Sequence, residues 1–476
     1  MDGLRHRPGP DLSLTASSPS AGAARARFVR DQLPAGGLFA GHQWRISPDP
    51  FPIDAALAKE LESLGRVLLQ FYRAVNLLYR HSVEGKAPAW VANLLDQGKP
   101  ARLIEHQRLP ALKNALPRVI RPDLLLTETG LVVTELDSVP GGMGLTAWLN
   151  QTYDRAMTDE PGTDSKHSIL GGAQGMSEGF RGIFGQASRV HIVVSEEASV
   201  YRPEMEWLCQ QAGRRHWSVR DTRFSDFEKG DAVYRFFELF DLENVGNATQ
   251  LLDLSGRQEI LMTPPAKPIF EEKLVFALLW NRNLRDFWRQ QLGESFLDRL
   301  FRLVPYTWVV DPAPLPPHAA IPELNLTDWQ QLKTLSQRER DLILKVSGYS
   351  EEAWGARGVY LGSDLSQTDW SAAVDKSLQA FGRSPYILQR FHKPRLVEAS
   401  WYDFDQNALV PMPGRVRLCP YYFVHGEGDA ARAHLGGALA TICPADKKII
   451  HGMRDAILVP GAVSVHPGRP QPAQTV

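Results

Sequence analysis

Cysteine is scarce: Cys209, Cys419 and Cys443 are the only three in 476 residues, and none stands in a CxxC pair. That excludes a disulfide framework and a thiolate zinc site and suits reduced thiols in a cytoplasm. An excess of either charge is also missing, since 53 basic residues face 54 acidic ones, and no long basic run or aromatic-basic stripe occurs. Nucleic acid is therefore not an expected partner. No apolar run approaches the roughly 18 residues that span a bilayer, and the first 25 residues, rich in Arg, Ser, Ala, Gly and Pro, lack the compact apolar core of a secretory signal. A soluble, cytoplasmic protein without a membrane partner is expected. Chemistry is bounded in the same way: GxxxxGK[ST] is absent, no Ser-His-Asp or Cys-His arrangement stands out, and His191, His392 and His451 share no metal-ligand spacing.

What is present begins with size, because 476 residues at 43% hydrophobic content exceed what one core organises and imply two or three domains. The densest chemistry lies in Arg121 to Gly144, RPDLLLTETGLVVTELDSVPGGMG. Two β-prone runs flank a short polar turn ending in Gly130, which reads as a hairpin. Side chains alternate along strands, so Arg121 and Asp123 share a face, as do Glu135 and Asp137. Pairing the strands brings Asp123 opposite Glu135 or Asp137 and gathers hard oxygen ligands of the kind Mg²⁺ prefers. An ordinary solvated hairpin face is the alternative. The adjoining Pro140–Gly144 run allows close backbone approach to a ligand and offers amide donors to anions.

Helical spacing runs from Ile53 to Tyr79 and again around Trp90 to Leu95, residues 150–188 read as a loop with a short helix, and Val190 to Val194 opens a βαβ unit completed by Glu204–Ala212 and Trp217–Val219. Ala232–Leu242 is aromatic-rich with Glu238 embedded in it, and Glu271–Trp288 reads as one helix with Lys273 near its start, where a lysine opposes the helix dipole and either snorkels or meets an anion. Further on come a Pro-rich loop to Pro322, a helical Leu326–Leu335, a strand carrying Lys345, a glycine loop with Gly355 and Gly358, an apolar strand Tyr386–Phe391, and a strand on which Arg415 and Arg417 share a face. A lysine on a strand before a glycine loop is one way to lay a lid over phosphates. The block HLGGALATICPADKKIIHGMRDAILVP, with Lys447, Lys448, His451, Arg454 and Asp455, covers a nucleotide or forms a surface helix and strand.

In this order the parts resemble the circularly permuted ATP-grasp ligases, in particular the synthetase domain of glutathionylspermidine synthase, over roughly residues 110–425. The resemblance implies an α/β (α+β), ATP-grasp-like, circularly permuted fold with a Rossmann-like βαβ substrate subdomain. It implies that the family's RxD and ExN pairs correspond to Arg121, Asp123, Glu135 and Asp137, with Asp in place of Asn; Arg121 is then catalytic, and Asp123, Glu135 and Asp137 hold Mg²⁺. Lys273, Lys345, Gly355, Gly358, Gln389 and Phe391 would bind ATP, and Ser138, Glu238, Arg415 and Arg417 would meet substrate. This lid has a longer insertion between Lys345 and Gly355 than the family's and no proline after the lysine. The implied layout is a disordered leader 1–25, helices and metal-binding hairpin 26–188, a Rossmann-like subdomain 189–265, a helical connector 266–325, a lid and nucleotide region 326–460, and a disordered tail 461–476. The implied activity is an ADP-forming carboxylate-amine ligase, acting on a small-molecule or peptide carboxylate and an amine through an acyl phosphate. A non-catalytic nucleotide-binding protein of the same fold is the alternative, and oligomeric state is unreadable. No amidase domain is recognisable beside the ligase.

Overall fold

The computed structural model describes residues 19–34, 36, 44–158, 167–213, 216–353, 357–447, 450 and 455–464. Strands and helices are numbered separately in chain order. The largest sheet runs β1 (Phe51–Ile53), β18 (Ile457–Ser464), β17 (Arg432–Pro444), β16 (Gly414–His425), β2 (Val119–Thr127) and β3 (Gly130–Asp137), with β13 (Leu396–Val397) added to β16 and β4 (His167–Ile169) to β18. A parallel sheet has the order β6 (Trp217–Arg220), β5 (Val190–Val194), β7 (Ala232–Phe236) and β8 (Leu261–Thr263). An antiparallel sheet has the order β11 (Val359–Leu361), β10 (Leu342–Val346), β12 (Tyr386–Arg390) and β9 (Thr307–Val309). β14 (Ser400–Asp403) and β15 (Ala408–Pro411) form a separate hairpin. This is a mixed α/β fold with several sheets.

The helices are α1 (Pro19–Asp31), α2 (Ala55–Val83), α3 (Ala89–Asp96), α4 (Ala101–Gln107), α5 (Met143–Thr158), α6 (Gly175–Gly182), α7 (Arg202–Ala212), α8 (Ala248–Gly256), α9 (Leu274–Trp280), α10 (Arg285–Leu303) and α11 (Gln367–Gln379). Long α2 follows from its spacing: Leu57, Leu61, Leu64, Leu68, Phe71, Val75 and Leu78 are buried on one face, and Asp54 caps its start by accepting from the Leu57 amide at 2.7 Å. Gly65 lets the helix close on the large sheet, since a Cβ there would stand 2.5 Å from the Tyr422 ring. One core joins this sheet, α2, α5 and one face of the parallel sheet; another lies behind the antiparallel sheet under α11. No helix among the described residues is long and apolar enough to cross a membrane.

Several local expectations change. Residues 271–288 are not one helix: α9 stops at Trp280, Asn281 takes an extended ψ of 121° and caps a short 3₁₀ turn by accepting from Asn283, and α10 follows. Leu326–Leu335 contributes only a 3₁₀ segment, Trp329–Thr334. Residues 150–188 hold the end of α5, β4 and α6 rather than mostly loop; α5 is buried along most of its length, so its apolar side chains have no polar face to give a clear period. The C-terminal block does not form a surface helix and strand among its described residues, and Ile450 within it lines a cavity beside β2 and β3. Residues 434–444 belong to β17 and 457–460 to β18, both inside the large sheet, while Lys448, His451 and Arg454 lie outside the described residues. α1 already includes residues 19–25 of the expected leader, and β18 extends into the expected tail as far as Ser464; residues 1–18 and 465–476 lie outside the described residues.

Candidate functional site

The hairpin of β2 and β3 forms one wall of a cavity of about 300 Å³. Its register sets Arg121 opposite Asp137 and Asp123 opposite Glu135, with a bulge just after Asp123. Arg121 is shared three ways: Nε pairs with Asp123 Oδ1 at 3.0 Å, Nη2 with Asp137 Oδ2 at 2.9 Å, and Nη1 donates to the Gly141 carbonyl at 3.0 Å. On β16, beside β2, Arg417 holds the other oxygen of Asp123 at 3.0 Å. Burial alone would raise the Asp123 carboxyl, but Arg121, Arg417 and a hydrogen bond from the Cys419 thiol outweigh it and hold the group below the usual range. Asp137 goes the other way: burial, reinforced by Glu135 and Asp123, pushes it up to about 6 despite Arg121.

Opposite the hairpin stand two lysines in unlike surroundings. Lys273, immediately before α9, pairs with Glu135 Oε1 at 2.6 Å; burial disfavours its charge, but Glu135 outweighs that and the net shift is upward. Lys345, on β10, meets only neutral acceptors, the Thr134 carbonyl at 3.0 Å and Gln389 Oε1 at 2.9 Å, so burial lowers it to about 8. Gln389, on β12, is fixed in turn by donating to Thr307 Oγ1 at 3.0 Å. Phe391 follows that strand and lines the cavity with Gly358, where a Cβ would approach a Val346 methyl to 2.5 Å.

The third wall comes from the carboxyl end of β7. Glu238 follows this strand and faces Glu271; burial first, then Glu271 and Asp137, raise its proton affinity well above normal. Glu271 itself is paired with Arg235 and accepts from the Leu239 amide at 3.0 Å. Ser138 lines the same space, its hydroxyl 3.4 Å from the Phe270 carbonyl.

The expected anion cradle in the glycine run is taken by the protein itself. Gly142, at φ +83°, opens α5, and the buried Glu204 carboxylate accepts from the Gly142 amide at 2.8 Å and the Leu145 amide at 3.1 Å. Gly141 is needed for a different reason, because a Cβ there would fall 2.4 Å from the Tyr201 ring. Tyr421 anchors the same turn by donating to the Gly141 carbonyl at 2.7 Å. Sequence reasoning passed over Glu204, Tyr201, Tyr421 and Glu271. Glu271, two residues before Lys273, was the one with a local signal, since an acid beside a lysine that meets an anion marks the same wall.

Twelve of the residues singled out from sequence therefore surround one cavity, whereas Arg415 does not line it and Gly355 lies outside the described residues. Arg415 is on β16 two positions before Arg417, but it donates to the Pro394 and Ala445 carbonyls and lines a neighbouring cavity. Among the described residues no group of three or more His, Cys, Asp and Glu side chains is gathered as a metal cage. Glu135 and Asp137 supply hard oxygens of the right kind for Mg²⁺, and a divalent cation offsets both the burial and the repulsion from Glu135 that raise Asp137. Asp123 fits less well, with both oxygens committed to guanidinium groups.

No family model matches the chain, and no curated protein matches it. Among solved structures, a glutathione synthetase-like effector from Globodera pallida in apo form is similar over 97% of this chain and 100% of its own, with a TM-score of 0.56 at 11% identity. A candidate gamma-glutamylcysteine synthetase from Methylobacillus flagellatus covers 79% of this chain and 84% of its own, with a TM-score of 0.37 at 12% identity. The first of these likenesses shows a shared fold.

Proposed function

We propose that the cavity binds MgATP and that the protein is an ADP-forming carboxylate-amine ligase of circularly permuted ATP-grasp type, with the domain division drawn from the sequence except at its ends, where α1 begins at Pro19 and β18 runs to Ser464. The observation that supports this best is the convergence of Arg121, Arg417, Lys273 and Lys345 on one cavity that also holds Glu135, Asp137 and Glu238. Such a set can bind a polyphosphate and a carboxylate while keeping an acid in reach of an incoming amine. The fold shared with a glutathione synthetase-like structure agrees with it.

In this reading the base lies against Phe391 and Gln389, under the segment that includes Gly358. Lys345 and Lys273 face the phosphates, and Lys273 gives up part of its pairing with Glu135 to do so. Arg121, held in place by Asp123, stabilises the oxyanion that develops as the amine attacks the activated carboxylate. Glu238, which burial and Glu271 hold protonated, releases that proton to solvent as a cationic amine approaches and then, as a carboxylate, accepts the proton the amine loses on attack. Glu135 and Asp137 would hold Mg²⁺, which supplies charge neutralisation between the phosphates.

Calorimetric titration with a non-hydrolysable ATP analogue, with and without Mg²⁺, tests the reading against a Glu135→Gln, Asp137→Asn variant. Magnesium-dependent binding that the variant loses is expected. Wild-type protein that binds no nucleotide overturns it. The clamped state of Asp123 favours one second reading, a nucleotide-binding protein without turnover, and this is distinguished by magnesium-dependent binding with no ADP release in the presence of any carboxylate and amine pair.

A further inference from the structure

Among the described residues Arg415 is a buried cation without a counter-ion. It is 8% exposed, its Nε donates to the Ala445 carbonyl at 3.2 Å and its Nη1 to the Pro394 carbonyl, and among the described residues no carboxylate pairs with it. Nη2 has no hydrogen bond there. Carbonyl oxygens satisfy some of the donors but do not neutralise the charge, and a guanidinium taken out of water is costly until an anion meets it. Arg415 lines a cavity of about 280 Å³ together with Asp341, Ser363, Phe391, Lys393 and Pro394. Lys393 is exposed, and among the described residues its ammonium is in no ion pair. Two cations thus line the cavity with one carboxylate, that of Asp341, while the Ser363 hydroxyl donates to Asp364 Oδ1 at 3.5 Å. Only Phe391 is common to this cavity and the main one.

We propose that this compartment is a separate binding site for a small oxyanion, a phosphate or carboxylate group held by the free edge of the Arg415 guanidinium and by the Lys393 ammonium. The planar fork of arginine suits two oxygens of such a group, and the lysine adds a mobile point charge at the mouth. The cavity has room for a phosphate or a short dicarboxylate with its water. The site does not depend on the chemistry of the main cavity, and its occupant is sensed there only through the shared Phe391 wall.

The test is titration of the whole protein with inorganic phosphate, and in a parallel arm with malonate, at low chloride. Saturable binding is expected in the wild type and is retained in a Lys273→Met, Lys345→Met variant, whose changes lie in the main cavity. Arg415→Met weakens it about tenfold or more, and Lys393→Gln, a surface change that leaves folding intact, weakens it by about two- to fivefold. Arg415→Lys, which restores the charge without the fork, recovers part of the loss. The stronger arm identifies the oxyanion class. The proposal is overturned if neither anion binds saturably, if Lys393→Gln and Arg415→Met both bind like the wild type, or if the main-cavity variant abolishes binding.

Discussion

Two walls of the same cavity each carry a carboxyl withdrawn from water, Asp123 buried and Glu238 half-buried, and treat them in opposite ways. On the hairpin wall Asp123 lies between two guanidinium groups and keeps its negative charge. On the parallel-sheet wall Glu238 faces Glu271, whose own charge is already spent on Arg235, and it keeps a proton instead. Withdrawal from water pushes both carboxyls toward the protonated form, so the partner decides which way each one goes. The hairpin is a preorganised ionic network, whereas the opposite wall sets two carboxyls against each other and leaves the proton on one of them.

The largest expected effect comes from breaking the network. Asp123→Ala removes the shared partner of two half-buried guanidinium groups, of which Arg121 keeps Asp137 and Arg417 keeps no carboxylate, and is expected to cost about 2–3 kcal/mol of stability. A chemical denaturation midpoint within error of wild type would show that water or a displaced side chain already serves the two arginines. Asp123→Asn keeps the shape and loses the charge, so it should fall between the two. Arg121→Met comes next and is aimed at chemistry: ligase turnover is expected to fall by about 100-fold or more while nucleotide affinity changes little. Turnover that survives this change removes the role given to Arg121.

The opposite wall is probed by Glu238→Gln, which imitates the protonated side chain. Its raised folded value means the native state binds a proton that the unfolded chain releases above its ordinary value of 4.5, so wild-type stability is fully present below that pH and declines as pH rises. The Gln variant has no such decline. Its melting temperature is expected to match the wild type near about pH 4 and to exceed it by a few degrees near about pH 8. Parallel curves would mean that Glu238 is ionised in the native protein and that the two walls are alike.

How much of this was open to reading depends on whether a residue's partners lie nearby in the chain. The hairpin was legible because its turn, its alternation and its four polar side chains fall within 17 residues, 121–137, and the observed register pairs Arg121 with Asp137 and Asp123 with Glu135. The βαβ unit was legible from a continuous apolar run followed by a helical one, now β5, α7 and β6. Glu204 was not, because its role is to cap a helix 60 residues earlier, and only the fold brings the Gly142 and Leu145 amides to it. The break at Asn281 was hidden by the apolar spacing that continues through it. Arg415 and Arg417 were indistinguishable as strand neighbours, and what parts them is Phe391, which lies between one cavity and the next.

The smallest effect separates the two lysines, which repeat the contrast in the opposite sign. Lys273 has Glu135 and is held protonated, whereas Lys345 has only neutral oxygens and falls from 10.5 to about 8. Between those two values the unfolded chain keeps a proton that the native protein sheds, so stability contributed at this position rises with pH across that window. A triphosphate beside Lys345 would reverse the balance, because an anion favours the ammonium that burial disfavours. Binding of the ATP analogue near about pH 8.5 is therefore expected to take up a fraction of a proton in the wild type, read from calorimetry in buffers of different ionisation enthalpy. Lys345→Met should bind more weakly and take up less. Equal uptake by the two proteins would place the proton on another group and would leave Lys345 as a strut between Thr134 and Gln389 rather than a phosphate ligand.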